Sequence, residues 1–298
     1  MNIDTLNAQF AIPNHLSFIV GKGDIPLIVI NNAHAIATVS LLGGQVLTYQ
    51  LHNEAPVLWL AETAYHQIGK ANRGGVPISW PWFSKHKTDA SKPAHGFLRT
   101  MLWEVVETVT TDSGGTRITM AISENDETRQ WWSHPFRVTV QITIDDALDV
   151  VVTAHNLSAE SVAWGAALHT YFYVSDVEQV RVSGLDGVRY DDTVIHQLAV
   201  QAGDVLFSAE TDRIYLDTTA TTTIHDPILK RNIHVAKSNS NTTVVWNPGT
   251  TAQKPDLVAG AYRNFVCIEA VKTGEDVAVV DAGASFAFST TISTELVM

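Results

Sequence analysis

Phe136 to Asn156 reads FRVTVQITIDDALDVVVTAHN, with apolar side chains at every second position on both sides of Asp145-Asp146-Ala147. A period of two is what a half-buried strand requires, because successive Cβ atoms point to opposite faces. Two such runs around an acidic turn predict a β-hairpin with one face in a core. Just upstream, LWEVVETVTTDSGGTRITMAIS repeats the pattern from Leu102, and Ser113-Gly114-Gly115 offers the positive φ of a tight turn. Between the hairpins only ENDETRQWW, from Glu124, suits a turn of helix.

Further out the chain continues as short strand signals. Upstream these are Leu16 to Val20, Pro26 to Ile30 and Ala35 to Leu51, the last broken by Gly43-Gly44 at a bulge or sharp corner. Downstream come Ala163 to Val174, Val180 to Leu185, Arg213 to Leu216, a hairpin around Asp226-Pro227, Thr242 to Trp246, Asn264 to Val271 and Ser285 to Ser293. Many short strands punctuated by Gly, Pro and Asp predict an all-β, antiparallel sandwich. No Ser/Gly/Pro tract, charge block or repeat divides residues 1–298, so a single domain is expected.

Composition narrows the function. With 298 residues, 45% apolar and 17% charged, the chain can bury a large core. Acids outnumber bases 31 to 19, a formal charge of -12, which argues against gripping nucleic acid. A single cysteine, Cys267, excludes an internal disulfide, and no Cys/His spacing suggests a structural metal. The absence of a basic, apolar leader or a run of membrane-spanning length makes a cytoplasmic protein without membrane attachment the expectation.

Asn72 to Trp103, NRGGVPISWPWFSKHKTDASKPAHGFLRTMLW, departs from the sandwich pattern. Arg73 precedes two glycines, and Pro77 and Pro81 extend the chain past Trp80, Trp82 and Phe83. Those aromatics either form a wall on which a sugar ring stacks or fill core, and Arg73 either meets a ligand or pairs with a carboxylate. His95 and Arg99 lie four residues apart in AHGFLRT, and the planar fork of arginine suits a phosphate.

Three more residues stand out. His169 sits within AWGAALHTYFYV, a run apolar on both faces and so central to a sheet. In NFVCIEAV, alternation puts Phe265, Cys267, Glu269 and Val271 on one face and Val266 and Ile268 on the other. A carboxylate among such neighbours is either paired, Arg263 being a candidate, or has a raised pKa that serves as a general base. Asp212, in AETDRIYL, opens another strand.

Taken together, NRGGVPISWPWF, AHGFLRTMLWEV, WWSHPF, LHTYFYV with GLDGVRYDD, ETDRIYL, VVWNP and NFVCIEA resemble, in order and spacing, the aldose 1-epimerase superfamily. The similarity runs from about Ala35 to the C-terminus and is greatest to the hexose-6-phosphate mutarotases. Ala94 stands where such proteins often have Gln, and Ala270-Val271 where Pro-Gly often follows the Glu. The resemblance implies a galactose-mutarotase-like β-supersandwich acting on a phosphorylated hexose, glucose 6-phosphate foremost, without metal or organic cofactor. For the oligomeric state, which no residue pattern addresses, a monomer is the expectation. By motif position His169 would be the acid, Glu269 the base, Arg73 and Arg99 the phosphate ligands, His95 the second cleft histidine, and Asp212 a ligand of sugar hydroxyls.

Such chemistry suits these residue types. Interconverting α and β hexopyranoses requires taking the anomeric hydroxyl proton and giving one to the ring oxygen. Glu269 could do the first, and His169 the second if it is held protonated. Two alternatives remain: an epimerase of neutral aldoses, and a non-catalytic sugar-binding sandwich, against which the presence of both an acid and a base counts.

Overall fold

The computed structural model describes residues 2–250 and 256–297. Its framework is antiparallel throughout. A nine-stranded sheet contains the deciding hairpin, Phe136–Ile144 against Ala147–Asn156, flanked by Thr116–Ser123 and Glu104–Thr110 on one side and by Ser285–Leu296 and Arg231–Ser238 on the other. The alternation read from the sequence is the observed burial: Val138, Val140, Ile142, Ile144, Leu148, Val150 and Val152 are at most 1% exposed.

An eight-stranded sheet supplies the opposite layer. Its centre is Phe265–Lys272, paired on one side with Thr242–Asn247 and on the other with the short strands Ala166–Leu168 and Tyr171–Tyr173. All eight residues of Phe265–Lys272 are buried. Val266, Ile268 and Ala270 enter the main core with the nine-stranded sheet, whereas Phe265, Cys267 and Val271 join two small clusters on the other face. The face carrying Glu269 therefore points away from the main core. A four-stranded sheet, Leu16–Val20, Pro26–Asn31, Ala35–Ser40 and Gln45–Leu51, contributes Phe18, Ile28, Val39 and Tyr49 to the same core. The corner expected at Gly43-Gly44 is present, with φ of 80° and 58°.

Three expectations change. The chain has an α-helix, Ile3–Phe10, that no sequence signal had indicated. Eight residues are too few for a clear helical period, and packing holds this one in place. Leu6 is buried, and the Asn7 amide bonds the backbone of Phe18 in both directions at 2.8 Å. The helical turn expected in ENDETRQWW is a short 3-10 turn, Thr128–Gln130. Ala163 to Val174 is three short strands in place of one, since Gly165 and His169-Thr170 interrupt the ladder.

Candidate active site

The segment that begins at Arg73 is threaded between strands. Gly75 donates to Trp59 O at 2.7 Å and Val76 to Val46 O at 2.8 Å, while Tyr171 N–H reaches Gly75 O and His169 N–H reaches Pro77 O. Only glycine permits this. A Cβ on Gly75, at φ 61°, would stand 2.0 Å from Val46 O, and one on Gly74 would stand 2.5 Å from Leu60 Cα. The thread lays Arg73 beside Tyr171, whose hydroxyl accepts from Arg73 Nη1 at 3.1 Å.

Strand register does the rest. Leu168 pairs with Ala270 and Tyr171 with Cys267, so His169 falls opposite Glu269, and Val244 pairs with Glu269 from the other side. Asp212 pairs with Trp246. Two rows thus cross one face of the sheet, one of Asp212, Trp246, Cys267 and Tyr171, the other of Ile214, Val244, Glu269 and His169. His95 and Arg99 arrive from the loop that follows Trp82. His95 N–H donates to Ser84 O at 2.7 Å, and Phe97 N–H to Trp80 O at 3.1 Å.

All six residues singled out from the sequence, Arg73, His95, Arg99, His169, Asp212 and Glu269, line one cavity of about 320 Å³. Phe83, Ser84, Tyr171, Ile214, Val244 and Trp246 also line it. A larger concavity, about 570 Å³ near Trp59 and Leu257, has among the described residues Glu62 as its one carboxylate and no basic side chain, so the site is chosen by its chemistry and not by its volume.

Within the cavity His169 Nδ1 stands 3.3 Å from Glu269 Oε1. The His169 ring lies parallel to Tyr171, 6° apart with centroids 4.9 Å apart, and 5.7 Å from the His95 ring. Burial, then the charge of Asp212, pushes the Glu269 carboxyl well up, while Arg99 opposes. Burial, then His95, Arg99 and Arg73, pushes His169 well down. The same causes bring His95 down to about 3, with burial first, then Arg99 and Arg73. Burial thus works against charge on both members of the His169–Glu269 pair, and two arginines and a second histidine, gathered only by folding, add to it at the imidazole.

Other expectations are corrected as well. Arg263 does not serve Glu269: it pairs with Asp176 at 2.7 Å and Glu178 at 3.1 Å. Trp80 is core, 1% exposed and packed on Phe136 and Phe97, and Trp82 donates Nε1 to Pro93 O outside the cavity. Of the expected aromatic wall only Phe83 lines the site, and Trp246 and Tyr171 supply the rest. Both were visible only as letters of VVWNP and LHTYFYV, because their aim depends on strand pairing. The alternative for Arg73 holds in part, since its Nε meets Asp256 at 3.0 Å. Arg99 donates Nη2 to Ala94 O at 2.8 Å, and its Nε is shielded from solvent with no hydrogen-bond partner. Glu269 Oε2 and His169 Nδ1 are likewise buried without a hydrogen bond. Among the described residues no cluster of three or more His, Cys, Asp or Glu is arranged to hold a metal ion.

Known proteins resemble this chain in sequence and in fold. A Salmonella typhimurium protein named "Putative glucose-6-phosphate 1-epimerase" is 33% identical over 275 residues, covering 89% of this chain and 91% of its own. The crystal structure of a "putative mutarotase (YeaD)" from the same organism superposes with a TM-score of 0.88 at 31% identity, covering 99% of both chains. A galactose mutarotase-like protein from Lactobacillus casei, 16% identical, shares the fold at a TM-score of 0.71 over 90% of this chain and 100% of its own. The family model described as Aldose 1-epimerase matches residues 26–293, the span that builds both large sheets and every residue of the cavity, and the chain belongs to that family.

Proposed function

We propose that this epimerase interconverts the α and β anomers of a hexose 6-phosphate, glucose 6-phosphate foremost, with Arg73 and Arg99 holding the phosphate. The observation that carries the proposal is Arg99. Its Nε is buried without a partner at the wall of an acid–base cavity, and among the described residues no carboxylate stands within 4.0 Å of its guanidinium. A buried donor left unpaired costs about 1–3 kcal/mol, which a phosphate oxygen would recover. The name of the Salmonella relative supports the same substrate.

The reaction then runs on two side chains. Glu269, as carboxylate, accepts the proton of the anomeric hydroxyl. His169, as imidazolium, gives a proton to the ring oxygen, and the C1–O5 bond breaks as the aldehyde forms. Rotation about C1–C2 presents the other face, and the two transfers reverse. The two groups stand 3.3 Å apart, and the proton that Glu269 takes from the anomeric hydroxyl balances the one that His169 gives to the ring oxygen. Asp212 orients ring hydroxyls, and Trp246, Tyr171 and Phe83 give the ring an aromatic surface. Phosphorylated hexoses carry a charge that keeps them inside a cell, so the proposal includes a cytoplasmic location.

One observation favours a second reading, an epimerase of neutral aldoses: Arg73 is already ion-paired with Asp256 at 3.0 Å and donates Nη1 to Tyr171 Oη at 3.1 Å. The test is anomeric equilibration of pure α-glucose 6-phosphate and of pure α-glucose, followed by NMR with and without protein. Faster equilibration of the phosphorylated sugar is expected. Faster equilibration of glucose alone would overturn the substrate, and of neither the activity.

A further inference from the structure

The aromatic run that the catalytic cavity leaves largely unused walls a second cleft. Trp80 goes to the core, but Trp82 and Phe83, with Trp132 and Trp164, enclose a cleft of about 330 Å³. Phe83 belongs to both spaces, and on the catalytic side its ring meets His95 edge-on at 5.1 Å. Lys85, His86 and Lys87 also line the second cleft, and both lysines are exposed. We infer that this cleft is a second binding site, for an aromatic ring that carries a phosphate or a similar anionic group: the ring lies among the indoles and the anion on the basic rim.

The walls, the shortage of side-chain oxygen and the charge at the rim set the ligand. Three indoles and a phenyl present the flat faces and edges on which a planar ring packs. Trp82 and Trp164 are 9% and 3% exposed, and Trp82 Nε1 is tied to Pro93 O at 2.9 Å, so much of that surface is fixed before a ligand arrives. Among the described residues no Asp, Glu, Asn or Gln lines the cleft, and Thr273 carries its one side-chain oxygen, whereas the catalytic cavity has Ser84, Tyr171, Asp212 and Glu269. Each hydroxyl of a sugar is a donor that needs an acceptor when buried, a demand that an aromatic ring does not make. The polar groups at the rim are donors. Lys85 and Lys87 are so by nature, and His86 because its Nδ1 accepts from Asp89 N–H at 3.1 Å, which leaves the hydrogen on Nε2. Among the described residues no carboxylate stands within 4.0 Å of either lysine. Asp89, the one acid between Lys85 and Lys92, accepts from the Ser91 N–H and hydroxyl at 3.0 and 2.6 Å. In a chain of net charge -12 this is a local basic edge, suited to an anion. The volume, about ten times the share of one water molecule in the liquid, admits one or two fused rings and leaves a phosphate outside among the lysines. A nucleotide and a simple aryl phosphate share this chemistry.

Calorimetric titration of the full chain tests the site. The probes are 1-naphthyl phosphate and adenosine monophosphate, each beside the same ring without phosphate, 1-naphthol and adenosine, and beside inorganic phosphate. At least one phosphorylated ring is expected to bind about tenfold or more tighter than its uncharged counterpart and than phosphate alone, the worth of one charge-assisted hydrogen bond. Its affinity should fall as salt rises, since both lysines are exposed. Adenosine monophosphate as the tighter of the two marks a nucleotide site, and 1-naphthyl phosphate a site for a simpler aryl phosphate. Ala163→Phe, at an exposed residue that lines the cleft, is expected to abolish the binding. Lys85→Ala/Lys87→Ala is expected to remove the gain from the phosphate with the Tm unchanged, and Arg99→Ala, which acts on the catalytic cavity, to leave the binding in place. Equal affinity for the uncharged rings, no binding of any ring, or binding that survives Ala163→Phe would overturn the proposal. So would glucose 6-phosphate binding that is lost in Ala163→Phe and kept in Arg99→Ala, since the cleft would then hold a sugar.

Discussion

Arg99→Ala separates a binding role from a structural one, because the two predict opposite stabilities. Among the described residues the guanidinium makes one side-chain hydrogen bond, Nη2 to Ala94 O, while its Nε has none and burial lowers its basicity. A charge-assisted hydrogen bond to phosphate is worth about 1.5–3 kcal/mol, and each ~1.4 kcal/mol is tenfold, so KM for α-glucose 6-phosphate is expected to rise about 10- to 100-fold. The fold gives up one bond to a loop carbonyl and is relieved of a partly desolvated cation, so the Tm should stay within ~2 °C of wild type or rise. The rate on α-glucose should hold or increase, because a charge opposing the His169 imidazolium is gone. Initial rates on both sugars by NMR, together with a thermal melt, read all three. An equal KM increase on both sugars, or a Tm loss of several degrees with no separation between them, would refute the reasoning.

Glu269→Gln and His169→Ala should each lower kcat by about 10²- to 10⁴-fold with an unchanged far-UV circular dichroism spectrum, and near-wild-type turnover in either would remove the acid–base pair. His95 is held neutral, its pKa lowered from 6.5 to about 3, so the unfolded chain binds the extra proton and stability falls as pH drops below 6.5. His95→Asn should flatten that acid limb by about 2 kcal/mol near pH ~4.5 in denaturant titrations, after discount for the partly exposed ring. The loss of stability with pH should otherwise match wild type. Gly75→Ala places a Cβ 2.0 Å from Val46 O at a φ of 61°, and should destabilise by more than about 3 kcal/mol, seen as a lower denaturant midpoint. A midpoint close to wild type would mean that the Arg73 thread can relax.

Much of the scaffold was legible one residue at a time. The alternation in Phe136–Ile144 and Ala147–Asn156 is a local property, and it settled the hairpin, its buried face and the all-β class. The same alternation put Glu269 on the face opposite Val266 and Ile268, and burial raises its carboxyl as an apolar strand requires. What the residues left open were choices between two chemically sound partners: Arg263 or His169 for Glu269, sugar or core for Trp80, ligand or carboxylate for Arg73. Each depends on which strand lies next to which, and register carries no local signature.

The sequence by itself determined the elements, their buried faces and a short set of reactive side chains, because period, turn chemistry and residue type act over a few neighbours. Tertiary structure decided that His169 stands opposite Glu269, that Trp80 is core while Trp246 lines the cavity, and that two arginines share that cavity with His169 and Glu269. It also decided the surroundings of that pair: burial, with charges brought together from segments about a hundred residues apart, pushes the carboxyl up and the imidazole down, and no stretch of chain contains those neighbours.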